Sequence, residues 1–144
     1  MSVLGKLVKL TVKTTISRQN SSETFEAAAV GHFYQKEAAI YLKYEEMIDE
    51  GRIRTIVKAA KEEALILRNG AATMRLPFAL ARKKGGYYEI PLGKFKTATF
   101  TKKIDYQYQA ENGTGYIELV YDFSLQGSDA GTYELQINFQ EEEQ

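Results

Sequence analysis

Residues 117–125 read Ile-Glu-Leu-Val-Tyr-Asp-Phe-Ser-Leu, and this stretch indicates most clearly how the chain folds. Apart from Val120, its apolar and polar residues alternate. One face of an extended strand would carry Ile117, Leu119, Tyr121, Phe123 and Leu125, and the other face would carry Glu118, Asp122 and Ser124. Such an alternation indicates a strand with one face in a hydrophobic core and the other in solvent. We therefore expect Tyr121 and its apolar neighbours to point inwards.

The same pattern recurs in the final strand, from Tyr133 to Phe139, and in a central strand, from Ala72 to Phe78. Runs of β-branched and aromatic residues alternate with clusters of turn residues, and no segment has sustained helical periodicity. The segment from Leu80 to Lys84 is the one place left for a helix. Strands are predicted at roughly residues 6–17, 24–34, 38–45, 52–59, 63–68, 71–78, 87–101, 104–110, 115–126 and 132–140.

Short strands joined by tight turns favour a meander, in which each strand pairs antiparallel with the next. Closure of a meander removes its two exposed edges. We therefore predict an all-β fold, a closed antiparallel meander barrel of about 8–10 strands, with an open sandwich as the alternative. The length of 144 residues suits one domain, which we assign to residues 1–140, followed by a solvated acidic tail at residues 141–144.

Composition argues against several classes of function. The chain has 19 basic residues, 19 acidic residues and no cysteine, so no overall charge favours nucleic acid or a membrane surface, and thiolate chemistry is excluded. The single histidine, His32, is expected on the outer face, and no Gly-x-Ser-x-Gly pattern marks a hydrolase. We expect a cytoplasmic protein that is not an enzyme and has no cofactor or metal, because the sequence contains no recognisable signal peptide, membrane span or catalytic constellation.

Turn geometry carries the inward faces from strand to strand. Asn69-Gly70 has the residues of a two-residue type I′ turn, which would place Leu67 opposite Ala72 and turn Leu67 inwards. The preceding turn carries this face to the previous strand, so that Lys58 and Arg54 also point inwards.

A turn at Lys36-Glu37 allows the same reasoning near the amino terminus. It would place Phe33 opposite Ile40 and Ala29 opposite Tyr44. Tyr44 is therefore expected on the inner face, where small residues oppose large ones as in a tapering barrel.

Two cations on an apolar inner wall need a partner, because an unpaired buried charge is strongly unfavourable. Lys58, which this register places opposite Leu65, and Arg54 are therefore candidate ligand-binding residues, with the hydroxyls of Tyr44 and Tyr121 as further donors. The hypothesis is a non-enzymatic binder that holds a small, largely apolar ligand with an acidic head group in the barrel interior. Alternatively, both cations lie near the mouth and extend their charged ends into water.

A second hypothesis requires no pocket. The same register places Val57 and Ile66 next to each other on the outer face, as an apolar patch. Such a patch would make the chain a protein-interaction module or a homodimer.

Several short motifs resemble a known family. They are Gly51 with Thr55-Ile56-Val57-Lys58, Arg68-Asn69-Gly70-Ala71 followed by Met74 and Phe78, Tyr88 with Pro91-Leu92-Gly93, and Gly115 with Ile117 and Tyr121-Asp122. On these residues the chain resembles, over nearly its whole length, the YwiB-like family of uncharacterised bacterial proteins, a domain of unknown function. The resemblance implies a calycin-like, lipocalin-type barrel and no particular reaction. Similar proteins tend to have Tyr-x-Thr-Pro-Tyr-Gly at residues 88–93, so this chain lacks a pair of hydroxyls there, although the bend is expected to remain.

Overall fold

The structure, a computed structural model, describes residues 5–142 and consists of strands joined by short connections, with no helix in that range. In chain order the strands are β1 (Lys6–Arg18), β2 (Ser21–Lys36), β3 (Ala39–Ile48), β4 (Gly51–Ala60), β5 (Glu63–Gly70), β6 (Thr73–Ala79), β7 (Lys83–Ile90), β8 (Gly93–Gln109), β9 (Thr114–Leu125) and β10 (Ser128–Glu141). The number of strands lies within the predicted range of about 8–10. Among residues 5–142 there is no helix that could cross a bilayer.

The ten strands form a closed barrel. Each strand pairs antiparallel with the next, and β1 also pairs with β10. This closing ladder runs from Val8, opposite Glu141, to Ser17, opposite Thr132. The predicted closed meander barrel is therefore confirmed, and the open sandwich is excluded.

The residues at the carboxyl end of the described range are attached to the barrel, whereas the sequence predicts a solvated tail from residue 141. Glu141 is the last residue of β10, and the N–H of Glu142 donates to a carbonyl oxygen of β1 at 2.9 Å. The carboxylates of Glu141 and Glu142 lie 3.6 and 3.4 Å from the ammonium groups of Lys6 and Lys9, respectively. A solvated tail does not begin at residue 141, and the last two residues lie outside the described range.

A turn lies where the sequence predicts a bend within one long strand. Pro91 and Leu92 form the turn, Ile90 pairs with Gly93, and β7 and β8 meet there. Proline suits this position because it has no N–H to donate to the sheet. β7 begins at Lys83, within the segment that the sequence leaves for a helix, so the helix is absent.

β8 is one strand where the sequence predicts two. It runs from Gly93 to Gln109, and its register with β9 shifts between Thr101 and Lys103. The shift is a β-bulge, which inserts an extra residue and bends a strand without ending its pairing. The polar pair Lys102-Lys103 therefore marks a bulge and not a turn.

The inward faces predicted for the carboxyl-terminal strands are confirmed. In β9 and β10 these residues are each at most 8% exposed: Ile117, Leu119, Tyr121, Leu135, Ile137 and Phe139. Leu76 and Phe78 of β6 join the same core. Burial of each large aliphatic side chain contributes about 1.5–3 kcal/mol, so this interior is the main source of stability.

β4 and β5 pair with each other as predicted, but their side chains point to the opposite faces of the sheet from those predicted. Lys58 lies opposite Leu65, as predicted. However, Val57 and Ile66 face the interior and are 1% and 4% exposed. The prediction that Lys58 and Arg54 lie on the inner wall is therefore wrong, and so is the prediction of an outer patch at Val57 and Ile66.

The hairpin between β5 and β6 explains this reversal. Leu67 pairs with Arg75, three positions beyond the partner that a two-residue turn would give. An odd shift of register turns every side chain of a strand to the other face. A type I′ turn needs positive φ at both central residues, whereas φ is positive at Gly70 (127°) and not at Asn69. β5 instead continues along β4, and the N–H of Ala71 donates to a carbonyl oxygen of β4 at 3.0 Å.

The hairpin between β2 and β3 differs from the prediction by an even number of positions. Phe33 pairs with Leu42 and not with Ile40, and Gly31 pairs with Tyr44. An even shift keeps each side chain on its face, so the inward orientation predicted for Tyr44 is confirmed. Gly31 is required at this pair because β3 leaves no room for a Cβ atom.

Candidate functional site

The barrel interior divides into two halves, and one of them is filled by side chains. Phe33 is 2% exposed, and its ring centroid lies 4.4 Å from that of Tyr108 and 4.9 Å from that of Phe139. Cα atoms of β4 and β8, which are not neighbours in the sheet, approach within 8 Å. Packed sheets are normally about 10 Å apart, so little space remains where these two strands approach each other. This packed half also contains Val8, Leu10, Leu42, Ile117, Leu119 and Ile137.

The other half of the interior, the open half, is accessible to solvent. Its inner wall carries Val12, Ile16, Phe25, Met74, Phe95 and Phe123, all of which are partly or largely exposed. Phe25 is 55% exposed. Side chains in a packed interior are covered on all sides, so this end of the interior is open to solvent, although Val12, Met74 and Phe123 also pack against the core.

A gap in the wall leads into the open half. β2 pairs with β3 from Gly31 to Lys36, and within residues 5–142 this ladder extends no further. Residues 21–30 of β2 have β1 as their partner, and residues 45–48 of β3 have β4. The two strands therefore separate next to Tyr44, and the wall is incomplete there.

An arginine lies on the inner wall of the open half. Arg68 of β5 is opposite Met74 on one side and Thr55 on the other. Its Nε atom is buried and has no hydrogen-bond partner among the described residues. Oε1 of Glu46 lies 3.8 Å from this Nε and accepts a hydrogen bond of 2.8 Å from Oγ1 of Thr55. Arg68 and Glu46 thus form an ion pair that is too long to be a hydrogen bond.

Tyr44 and Tyr121 are close to the same cation, and both are 5% exposed. Burial raises the pKa of Tyr44 well above its ordinary value; the Glu46 carboxylate raises it further, and the Arg68 guanidinium lowers it. Burial also raises the pKa of Tyr121, with Tyr133 raising it further and Arg68 lowering it. Both phenols are therefore protonated hydrogen-bond donors at neutral pH.

Aromatic rings form part of the same inner wall. The rings of Tyr121 and Tyr133 stack with their centroids 5.5 Å apart, and Phe123 meets Tyr133 edge-on at 5.2 Å. Phe78 packs against Tyr121 at 4.7 Å. Rings arranged in this way offer an apolar surface with hydroxyl groups at its margin.

Threonines on the inner face of β8 add polar groups to this wall. Thr99 donates a hydrogen bond of 2.8 Å to the carbonyl oxygen of Pro77. Thr97 and Thr101 are 5% and 0% exposed, and their Oγ1 atoms have no hydrogen-bond partner among the described residues. The interior therefore contains more hydrogen-bonding capacity than its own side chains use.

The two cations predicted as ligand anchors lie elsewhere. Arg54 has a side chain that is 76% exposed on the outer face, with its Nε 4.0 Å from a carboxylate oxygen of Glu45. Lys58 is also on the outer face, and its Nζ lies 5.8 Å from the centroid of the Tyr41 ring. The structure thus brings the two predicted tyrosines to one site and places neither predicted cation with them.

Sequence reasoning does not find Arg68 and Glu46. A signal was nevertheless present in β4, where Arg52, Arg54 and Lys58 share one face. Three cations on one face are far less costly in solvent than in a barrel interior. Assigning that face to the outside would have turned Thr55 inwards and, across the ladder, Arg68 with it.

The histidine offers no further site. His32 is exposed on the outer face, as predicted, and lies opposite Lys43. Within residues 5–142, no three His, Cys, Asp or Glu side chains are grouped as ligands of a metal ion would be.

Known proteins match this chain over most of its length. A family model described as "Domain of unknown function (DUF1934)" matches residues 10–137. The "Uncharacterized beta-barrel protein YwiB" of Bacillus subtilis (strain 168) is 31% identical over 118 residues, which are 82% of this chain and 82% of that protein. The "Crystal structure of ywiB protein from Bacillus subtilis" superposes with a TM-score of 0.85 at 26% identity, over 96% of this chain and 94% of that one. The resemblance to YwiB-like proteins is thereby confirmed, and the chain belongs to the DUF1934 family of β-barrel domains.

Proposed function

We propose that this chain is a non-enzymatic binding barrel whose open half holds a small, largely apolar ligand, with an acidic group of the ligand against Arg68. The Nε of Arg68 carries this proposal, because it is buried on an apolar inner wall and has no hydrogen-bond partner among the described residues. A buried donor left unpaired costs about 1–3 kcal/mol. An oxygen atom of a ligand in the open half would remove this cost.

Glu46 does not already supply that oxygen. Its Oε1 lies 3.8 Å from the Nε of Arg68, beyond hydrogen-bond distance, and accepts from Thr55 instead. The side chains of Arg68 and Glu46 are 34% and 30% exposed, so both reach accessible space. A ligand carboxylate can bind a guanidinium through two parallel N–H···O bonds, and Glu46 can keep its bond to Thr55 meanwhile.

The apolar part of the ligand would lie along the aromatic wall. Tyr121, Phe123 and Tyr133 are in contact there, and small-molecule sites typically combine such a lining with a few polar groups. In this proposal Tyr44 and Tyr121 keep the donor role that the sequence suggests. Arg68 takes the role predicted for Lys58 and Arg54, which lie on the outer face. The gap between β2 and β3 would admit a ligand without unfolding of the barrel.

Replacement of Arg68 by Met tests this function, with binding of a dansyl-labelled fatty acid followed by fluorescence. Arg68→Met removes the guanidinium and keeps an unbranched side chain, so the dissociation constant should rise about ten-fold or more. Lys58→Met is the matched control, because it removes a cation from the outer face of the neighbouring strand and should leave binding unchanged. Equal binding by Arg68→Met and the unchanged protein would overturn the proposal.

Glu46→Gln tests the acidic character of the ligand. It removes a negative charge 3.8 Å from the Arg68 Nε, so the acidic probe should bind more tightly. The uncharged amide of the same probe should bind less well than the acid and should lose less affinity with Arg68→Met, because its oxygen accepts a hydrogen bond but carries no charge. An amide that binds as well as the acid would contradict selection of an anion.

A further inference from the structure

A groove on the outer face of β2 to β5 combines an apolar floor with a basic rim. The floor consists of Ile56, Leu65 and Leu67 with the rings of Tyr34 and Tyr41, the rim consists of Lys36, Lys43 and Lys58, and the volume is about 480 Å³. We name it the lysine groove. Inward and outward side chains alternate along each strand, so the lysine groove is separated from the open half by the sheet itself.

In the described part of the chain, the lysines of this groove have no carboxylate partner. Elsewhere on the barrel, four lysines lie within 3.6 Å of a carboxylate oxygen. No ion pair among residues 5–142 involves a lysine of the groove. Instead, the Nζ of Lys43 lies 4.8 Å from the centroid of the Tyr34 ring, and the Nζ of Lys58 lies 5.8 Å from that of Tyr41. These cation–π contacts hold the charges beside the groove without neutralising them.

The floor of the lysine groove is an apolar surface left partly exposed. Ile56 lies opposite Leu67, and Leu65 lies two residues from Leu67 on the same face. All three side chains are of intermediate exposure. Apolar patches with a polar rim are typical of surfaces that contact other molecules.

We propose that the lysine groove binds an acidic peptide segment of another protein, one that also carries hydrophobic side chains. Lys43 and Lys58 are diagonal neighbours on adjacent strands, which places their Cα atoms roughly 7–8 Å apart. Alternate residues of an extended peptide are about 6.6–6.8 Å apart, so two of its carboxylates can meet both ammonium groups. A hydrophobic side chain two residues further along lies on the same face of the extended peptide and covers the floor.

The charge and shape of the groove disfavour other occupants. A second copy of this chain, placed groove to groove, would bring lysines against lysines, and like charges at an interface cost free energy. A small molecule usually buries about 70–90% of its surface in its site, which a groove on an open sheet face does not provide. A flat bilayer would leave the concave floor uncovered.

Binding of a short labelled peptide, Glu-Ser-Glu-Ser-Leu, tests this inference on the full chain, by fluorescence anisotropy. This Glu-Leu peptide, when extended, carries both carboxylates and the leucine on one face. Binding should be saturable and should weaken with added salt, because salt screens exposed charges over about 8–10 Å. Lys43→Glu combined with Lys58→Glu should weaken binding about ten-fold or more. Lys94→Glu is the matched control. The Nζ of Lys94 in β8 also lies over a tyrosine ring, 4.4 Å from the centroid of Tyr87 in β7, but outside the lysine groove. This variant should bind the peptide as the unchanged protein does.

Further variants separate the floor from the rim. Leu65→Gln keeps the lysines and makes the floor polar, so it should weaken binding of the Glu-Leu peptide. A Glu-Ser peptide, which has Ser in place of that Leu, should bind poorly to the unchanged protein and to every variant. The inference is overturned if the Glu-Ser peptide binds equally well, or if Lys94→Glu weakens binding as much as Lys43→Glu combined with Lys58→Glu does. It is also overturned if the protein binds phosphatidylglycerol vesicles and not the peptide, or if it forms a dimer that the double lysine variant abolishes. Thermal unfolding verifies that each variant is folded. Arg68→Met should leave peptide binding intact, which distinguishes this result from that for the interior ligand.

Discussion

The two halves of the barrel interior use the same ten strands and bury their side chains very differently. In the packed half, Phe33 is 2% exposed and stacks on Phe139. In the open half, Phe25 of the same strand is 55% exposed, and Arg68 has a buried Nε without a hydrogen-bond partner among the described residues. Contacts in the packed half supply most of the stability, so the open half can retain exposed apolar and polar groups that a core would not tolerate.

Removal of one aromatic ring from each half should give the largest difference in the free energy of unfolding between the two halves. Phe33→Ala leaves a cavity among packed rings and should lower the free energy of unfolding by about 3–5 kcal/mol. Phe25→Ala, in the same strand, should lower it by less than about 1 kcal/mol, because the ring is mostly exposed. Urea unfolding of both variants measures the difference, and similar losses would show that the open half is packed as well.

High pH should reveal the buried tyrosines. Tyr44 and Tyr121 have raised pKa values in the folded chain, mainly because of burial, whereas tyrosines of the unfolded chain titrate near about 10. The folded state therefore keeps protons that the unfolded state loses. Stability should be unaffected below about pH 9 and should fall above pH 10 by about 1.4 kcal/mol per pH unit for each of the two groups.

Urea unfolding at pH values between about 8 and 11 measures that decline. Tyr44→Phe and Tyr121→Phe should each make it shallower, and the double variant should make it shallower still. A decline that both single variants leave unchanged would place its cause in other groups.

The ion pair of the open half should contribute least to stability. The side chains of Arg68 and Glu46 are each about one-third exposed, so Glu46→Gln should change the free energy of unfolding by less than about 1 kcal/mol. Glu45→Gln, which alters a carboxylate on the outer face of the same strand, is the control. A loss of several kcal/mol with Glu46→Gln would mean that this pair is part of the structural core and not a site with a free donor.

Much of the fold could be predicted because alternation is a local property. Each strand of the pair β9 and β10 displays its own inward face in its residues, and closure of the barrel follows from the exposed edges of a meander. The inward orientation of Tyr121 follows for the same reason, whereas that of Tyr44 was predicted from the turn at Lys36-Glu37. In the β2 to β3 hairpin, Phe33 pairs with Leu42 and not with Ile40, and the even shift left both faces correct.

The site could not be predicted because its faces depended on one turn. Asn69-Gly70 resembles a tight turn, but Gly70 lies close to β4 and pairs with Ile53, so both residues belong to β5 and the turn follows them. The resulting shift of three positions is odd, so it moved Lys58 outwards and Arg68 inwards. Local residue preferences do not decide between a turn at this pair and one slightly later, because the choice depends on contacts with β4.

The incomplete ladder between β2 and β3 also bears on how copies of this protein avoid aggregation. Unpaired strand edges present free N–H and C=O groups, and strands of other molecules can extend the sheet there. On β2 the free edge carries Glu23 and Glu26, and on β3 it carries Glu45 and Glu46. Like charges would face each other if two such edges met, so the carboxylates that flank the opening also oppose intermolecular β-sheet growth.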